Sequence, residues 1–142
     1  MQMIKTYDTL TVYTDGGARG NPGPAGVGAV FYDTEGNNAW EVSRYIGIAT
    51  NNVAEYLAVV YALQEALFLK TKNIIIKTDS QLVERQLTGE YKVKDQNLLK
   101  FYDLSMNLLK RFDNITIEHV PRKENSEADA LVNVAIDNKI LI

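Results

Sequence analysis

Ile74, Ile75 and Ile76 form an unbroken, β-branched apolar run, and Asp79 follows within three residues. A strand that does not alternate has no solvent face. The run therefore predicts a central parallel strand covered on both sides. Parallel neighbours need crossover connections, usually helices, so an α/β protein is expected. The upstream segments fit this reading. Leu10 to Thr14 runs into a turn signal at Asp15-Gly16-Gly17, and Gly26 to Tyr32 stops at Asp33 to Asn38. Next, Trp40, Val42 and Ile46 alternate with Glu41, Ser43 and Tyr45. Three strands this close in sequence are expected to pair antiparallel.

Helices are read from their period. Val53, Leu57, Val60, Leu63 and Leu67 are spaced four, three, three and four, one face of a helix. Asn52 is its expected N-cap, with Glu55 three residues on as the reciprocal partner. A short helix is expected over Ser80 to Leu87. Leu98, Tyr102, Ser105, Leu109 and Phe112 mark a longer one, capped by Asp95. Ile115, Ile117 and His119 alternate in a last strand, and a final helix from near Ser126 turns Ala128, Leu131, Val132 and Ala135 inward. The sum is a five-stranded mixed sheet, its first three strands antiparallel, flanked by helices. In such sheets chemistry gathers where strand ends meet helix starts.

Composition narrows that chemistry. The 142 residues include no cysteine, which removes disulfides, thiolate metal sites and cysteine nucleophiles together. One histidine, His119, gives no basis for a histidine-rich zinc site and little for a Ser-His-Asp triad. His119 itself is read as structural. One domain over 1–142 is expected. No apolar run approaches the ~20 residues of a membrane span, and Met1 to Asp8 lacks a signal-peptide core. A cytoplasmic protein without a membrane partner is therefore expected. A net charge of −3 argues against holding nucleic acid by bulk charge. The imbalance is small, however. With four of the 18 acids on divalent metals, 15 bases would face 14 acids. The local bases are Lys92 and Lys94, and Arg122 and Lys123.

Four acids stand at the predicted junctions. Asp15 ends the first strand and Asp79 the apolar one, while Glu55 and Asp129 lie in the first turns of the first and last helices. Singly, each has a structural explanation: Asp15 in a turn, Glu55 in a capping box, Asp79 as an N-cap, Asp129 paired with Ser126. Jointly they point to chemistry. Neighbouring first and fourth strands would bring Asp15 and Asp79 within a few Å. Like charges that close need a shared cation or a proton. Carboxylate oxygens suit Mg²⁺ or Mn²⁺ rather than zinc, and two such ions ~3.5–4 Å apart promote in-line displacement at phosphorus. That chemistry needs no nucleophilic side chain.

Four blocks sharpen the reading. They are Tyr-Thr-Asp-Gly-Gly-Ala-Arg-Gly-Asn-Pro-Gly-Pro-Ala-Gly at 13–26, Thr-Asn-Asn-Val-Ala-Glu-Tyr at 50–56, Thr-Asp-Ser-Gln-Leu-Val at 78–83, and His-Val-Pro-Arg-Lys-Glu-Asn-Ser-Glu-Ala-Asp-Ala-Leu at 119–131. In this order, the chain resembles type 1 ribonuclease H (ribonuclease HI), which cuts the RNA strand of RNA–DNA hybrids. The resemblance runs from about Thr11 to Ala135. It implies a ribonuclease H-like fold and a metal-dependent endoribonuclease without strict sequence preference. It implies that Asp15, Glu55, Asp79 and Asp129 are the catalytic, metal-binding carboxylates, holding two Mg²⁺ ions or Mn²⁺. It brings the backbone of Gly16 and Gly17 against the RNA strand, a close approach that suits glycine. Asn51, Asn52 and Gln81 would face the minor groove, and Thr50 a phosphate of the DNA strand. Asn21, Ser80 and Arg122 complete the implied substrate contacts.

Two departures from the family pattern stand out. The short loop Pro121 to Asn125 lacks the histidine that many members carry there, which leaves Arg122 as the candidate near the scissile phosphate. The segment Gly89 to Asn97 lacks the extra helix and basic loop of longer members, so weak hybrid affinity is expected from few phosphate contacts. No separate hybrid-binding domain is expected ahead of the first strand. Double-stranded RNA remains a second substrate candidate, and a monomer without an obligate protein partner is expected. The alternative is a non-catalytic nucleic-acid-binding or interaction module on the same fold.

Overall fold

The computed structural model describes residues 5–139. Strands β1 (Thr9–Ala18), β2 (Gly23–Tyr32) and β3 (Asn38–Ala49) come first, then helix α1 (Asn51–Phe68) and strand β4 (Asn73–Thr78). Helices α2 (Gln81–Leu87) and α3 (Gln96–Leu109) lead to strand β5 (Asn114–His119). A one-turn 3₁₀ helix (Arg122–Asn125) runs straight into helix α4 (Ser126–Asn138). The sheet order is β3-β2-β1-β4-β5. Its first three strands pair antiparallel, and β4 lies parallel between β1 and β5. This is the mixed five-stranded sheet that the sequence predicts.

Four expectations need correction. The first concerns β1, which does not stop at Asp15. It continues to Ala18, with Gly16 opposite Val27 and Gly17 opposite Gly26 on β2. Both glycines lie within the β1–β2 ladder rather than in a turn, and Gly16 serves close packing. A Cβ on Gly16 would lie 2.1 Å from the Ala54 carbonyl oxygen of α1. A Cβ on Gly28, across from Asp15, would lie 2.3 Å from the Ala128 oxygen of α4. Successive β1 residues face opposite sides, so Gly16 meets α1 while Gly17 looks towards Val132 of α4.

The second concerns the cover of β4. Ile74 and Ile76 are buried, but Ile75 is only half-buried. Helix α4 packs on β1, β2 and β3. The β4 surface on that side stays open, beside a cavity of about 600 Å³ lined by Thr11, Tyr13, Ile75 and Lys77. The third concerns α1, which packs on both the sheet and α3 and so buries a broader face than one leucine stripe. Ala54, Ala58, Ala62 and Ala66 recur every four residues and are buried, whereas Val53, Leu57 and Leu67 are only partly so. Alanine there lets the helix lie close on the sheet. The fourth is the cap. Thr50, not Asn52, caps α1, its Oγ1 accepting from Val53 N–H at 3.2 Å.

Other expectations hold locally. Asp95 caps α3, and α4 starts at Ser126 with Ala128, Val132 and Ala135 buried. Leu131 is half-buried, and Ile136 takes the deeper place. His119 lies on β5 as alternation predicts, but it is exposed at the strand's end rather than packed in the core. Leu10, Val12, Leu63, Ile74 and Ile76 are each 1% exposed or less. Burying each contributes roughly 1.5–3 kcal/mol against leaving it in water. That core fixes the strand ends on which the acids stand. Among the described residues, no helix is long and apolar enough to cross a membrane.

Candidate metal and nucleic-acid site

Register brings the first two acids together. The parallel pairing of β1 with β4 ends at Thr14 opposite Thr78. Asp15 and Asp79 are the next residues on each chain and diverge from the same point. Glu55 reaches them from the second turn of α1, and its Oε1 accepts from Gly16 N–H at 2.8 Å. One oxygen from each of Asp15, Glu55 and Asp79 lies within 4.8 Å of the others. The capping readings fall away. Glu55 bonds β1 rather than its own helix start, and the cap of α2 is Ser80, whose Oγ accepts from Val83 N–H at 3.2 Å.

The electrostatics match the geometry. Burial, then the Asp79 charge, then Asp129, push the Asp15 carboxyl up to about 8 from its ordinary 3.8. Burial also holds Glu55 well above the usual carboxylate range, reinforced by the charges of Asp15 and Asp79 and opposed by the Gly16 N–H. A group so destabilised in its charged form takes up a proton or a cation. The donors here are carboxylate oxygens alone, a hard set that fits a divalent cation such as Mg²⁺ or Mn²⁺.

The fourth acid differs. Asp129 on α4 is half-buried and lines the same cleft of about 420 Å³. It is close enough to act on Asp15, yet it stands outside the three-carboxylate group. Gly16, Gly17, Asn51 and Arg122 share this cleft. Thr50, Asn52 and Asn21 line a neighbouring cleft instead. Asn51 joins the two. Its Oδ1 accepts from Ala18 N–H at 2.9 Å, and its own N–H donates to Asn21 Oδ1 at 3.0 Å. Ser80 and Gln81 open α2 and border neither cleft, with Gln81 exposed. Arg122 is exposed in the 3₁₀ turn.

Two cations escaped the sequence reading. Arg19 lies in the acid cleft, held by Asp137 at 2.6 Å and by Asn133 at 3.2 Å. Its place inside the Gly-Ala-Arg-Gly-Asn block was the available signal. Lys100 of α3 borders the Thr50 cleft. Nothing in the helical spacing of α3 marks that side as special.

Comparison with known proteins follows the same lines. A family profile described as Reverse transcriptase-like matches residues 13–135. Ribonuclease HI of Halobacterium salinarum is 46% identical over 126 residues, which is 89% of this chain and 63% of that relative. The chain belongs to the ribonuclease H family. The crystal structure of RNase H1 from Halobacterium salinarum NRC-1 superposes with a TM-score of 0.90 at 45% identity, covering 92% of this chain and 98% of that one. LC11-RNase H1, solved in complex with an RNA/DNA hybrid, gives 0.87 at 44% identity, covering 92% and 98%. The fold is thus the ribonuclease H fold. The chain spans 63% of the Halobacterium salinarum relative and 35% of the Bifunctional protein Rv2228c of Mycobacterium tuberculosis.

Proposed function

We propose that this chain is a metal-dependent endoribonuclease that hydrolyses the RNA strand of RNA–DNA hybrids without strict sequence preference. One observation carries the reading: three carboxylates from three separate elements converge within 4.8 Å, two of them destabilised as free anions. A binding module would have no reason to keep such a mutually repelling cluster, and membership of the ribonuclease H family agrees with catalysis.

Asp15, Glu55 and Asp79 would hold the cations, two Mg²⁺ ions with Mn²⁺ as a substitute, and Asp129 would border them. Such ions supply Lewis-acid activation of water and charge neutralisation at the scissile phosphate. The chain's own residues orient the duplex. Gly17 presents backbone with only Val132 within 4 Å of where a Cβ would be, which leaves room for a sugar to approach. The 2′-hydroxyl met there tells RNA from DNA. Asn51, Asn52 and Gln81 offer amides that donate and accept without reading one base. Thr50 and Asn21, with Ser80, would contact backbone phosphate and sugar, and Arg122 would face the phosphate near the cut. We place this chain in the cytoplasm as a monomer, with residues 1–142 forming one ribonuclease H domain.

Cleavage of a labelled hybrid with Mg²⁺ and Mn²⁺ separately tests the proposal, with double-stranded RNA and double-stranded DNA beside it. The expected result is cleavage of the hybrid's RNA strand, lost in Asp79→Asn. A folded chain that cuts with neither metal, or an Asp79→Asn variant that still cuts, would overturn it.

A further inference from the structure

Asn125 is the N-cap residue of α4, and asparagine is among the best capping residues, yet its side chain makes no cap hydrogen bond. Instead its Nδ2 donates to the Thr14 carbonyl at 2.8 Å, across 111 positions of sequence. The residue is 1% exposed. Its Oδ1 is also buried and has no hydrogen-bond partner among the described residues. An unpartnered buried oxygen is unfavourable, and the same residue leaves the start of α4 without a side-chain cap. Local rules broken without local gain mark places where function competes with stability.

The two ends of this bond explain the competition. Thr14 immediately precedes Asp15 and is the last β1 residue paired with β4. Asp129 follows Asn125 by four residues, about one helical turn. A single buried amide therefore joins the backbone beside Asp15 to the helix start that bears Asp129. The other tethers of α4 do not reach the backbone beside Asp15. Tyr32 OH on β2 donates to Glu127 Oε2 at 2.5 Å in the helix's first turn, Ser43 Oγ on β3 donates to the Leu131 carbonyl at 2.7 Å, and Arg19 meets Asp137 near the helix's far end.

We propose that Asn125 is a positioning residue whose amide clamp sets how closely Asp129 approaches the Asp15 carboxylate. The inference rests on the cation-dependent cleavage proposed above. It separates stability from catalysis, because a good cap that cannot reach Thr14 should mend the helix and misplace the acid.

Asn125→Ser makes that exchange, since serine caps well but is too short to reach the Thr14 carbonyl. Thermal melting, hybrid cleavage and the Mg²⁺-induced rise in Tm are measured on the full chain. The metal-free Tm is expected to fall by no more than a few degrees, because the new cap offsets part of the bond lost at the Thr14 carbonyl. The kcat should fall about tenfold at unchanged KM, as expected when a catalytic group is displaced. The Mg²⁺ concentration giving half of the Tm rise should increase several-fold. Unchanged kcat and an unchanged Mg²⁺ response overturn the proposal, and so does a loss of activity that only tracks a lowered Tm. Asn125→Thr, which can also cap but lacks the amide donor and is too short to reach Thr14, should show the same kinetic loss. Wild-type behaviour of that variant also overturns the proposal. If the unsubstituted chain cleaves no hybrid, the functional reading fails on its own. The clamp is then decided by the Mg²⁺ response of Tm, and a response equal in the wild type and in Asn125→Ser overturns it.

Discussion

Helices α1 and α4 each bring one carboxylate towards Asp15, and they are built on different terms. Helix α1 is capped by Thr50 and wedged between the sheet and α3, with Glu55 bonded to the backbone of β1. Helix α4 lies over β1 to β3, starts without a side-chain cap, and is tied down by Asn125, Tyr32, Ser43 and Arg19. Glu55 falls inside the three-carboxylate group; Asp129 falls outside it. Dense packing thus holds the acid inside the three-carboxylate group, while separate polar bonds hold the acid at its margin.

The largest expected effect tests that ranking directly. Glu55→Gln removes a member of the tight group and should lower kcat about a thousandfold or more, roughly 4 kcal/mol of transition-state stabilisation. Asp129→Asn should cost only about tenfold, because the neutral amide keeps its shape at the edge of the cleft. Steady-state cleavage of the hybrid at saturating Mg²⁺ measures both. Equal losses would show that α4 supplies a ligand of the same standing as α1.

Both helices also seat on a glycine, which gives a second and smaller test. Gly16→Ala drives a Cβ to 2.1 Å from the Ala54 oxygen, beneath a helix packed on both sides. Denaturant unfolding should show a loss of about 3 kcal/mol. Gly28→Ala drives a Cβ to 2.3 Å from the Ala128 oxygen, a clash of similar size. Because α4 packs on one side only, it can lift, so about 1 kcal/mol is expected. The displaced Asp129 should then show as reduced cleavage. A stability loss as large as that of Gly16→Ala would mean that α4 is fixed as firmly as α1.

This contrast was only partly legible in the sequence. The order of elements and the pairing of strands follow from periodicity, since apolar spacing is what decides which face is buried. Asp15, Glu55 and Asp79 could be singled out because each stands at a junction between elements. The continuation of β1 could not be read, because glycine pairs mark turns in most contexts. Here Gly16 and Gly17 match Val27 and Gly26 across the ladder, a relation between distant positions. The alanine face of α1 was hidden for a similar reason: a leucine stripe dominates any hydrophobicity count, while close approach to a sheet favours small residues. Asp129 carried the same weight as the other acids until distance separated it. Asn125 looked like an ordinary loop residue before a helix, because its buried bond to Thr14 depends on tertiary position alone.

The most graded test is the pH dependence of stability without metal. In the unfolded chain the Asp15 carboxyl loses its proton near 3.8; in the fold it keeps it to about 8. Between those values the native state binds more protons than the unfolded state, so stability falls as pH rises; the Asp15 contribution levels off above about 8, and Glu55 adds a loss of the same sign. Each such proton contributes a slope of at most about 1.4 kcal/mol per pH unit. Urea unfolding from pH 4 to 9 in chelator measures it. Glu55→Gln should flatten the curve by removing a second carboxyl that burial holds well above its usual range, and Asp129→Asn should flatten it less, because it removes only part of what raises Asp15, whose first cause is burial. Mg²⁺ binds the deprotonated cluster, so it should stabilise the chain more at pH 8 than at pH 5. A metal-free curve that rises with pH would place the acids in ordinary solvated surroundings and remove the distinction between the packed and the tethered side of the cleft.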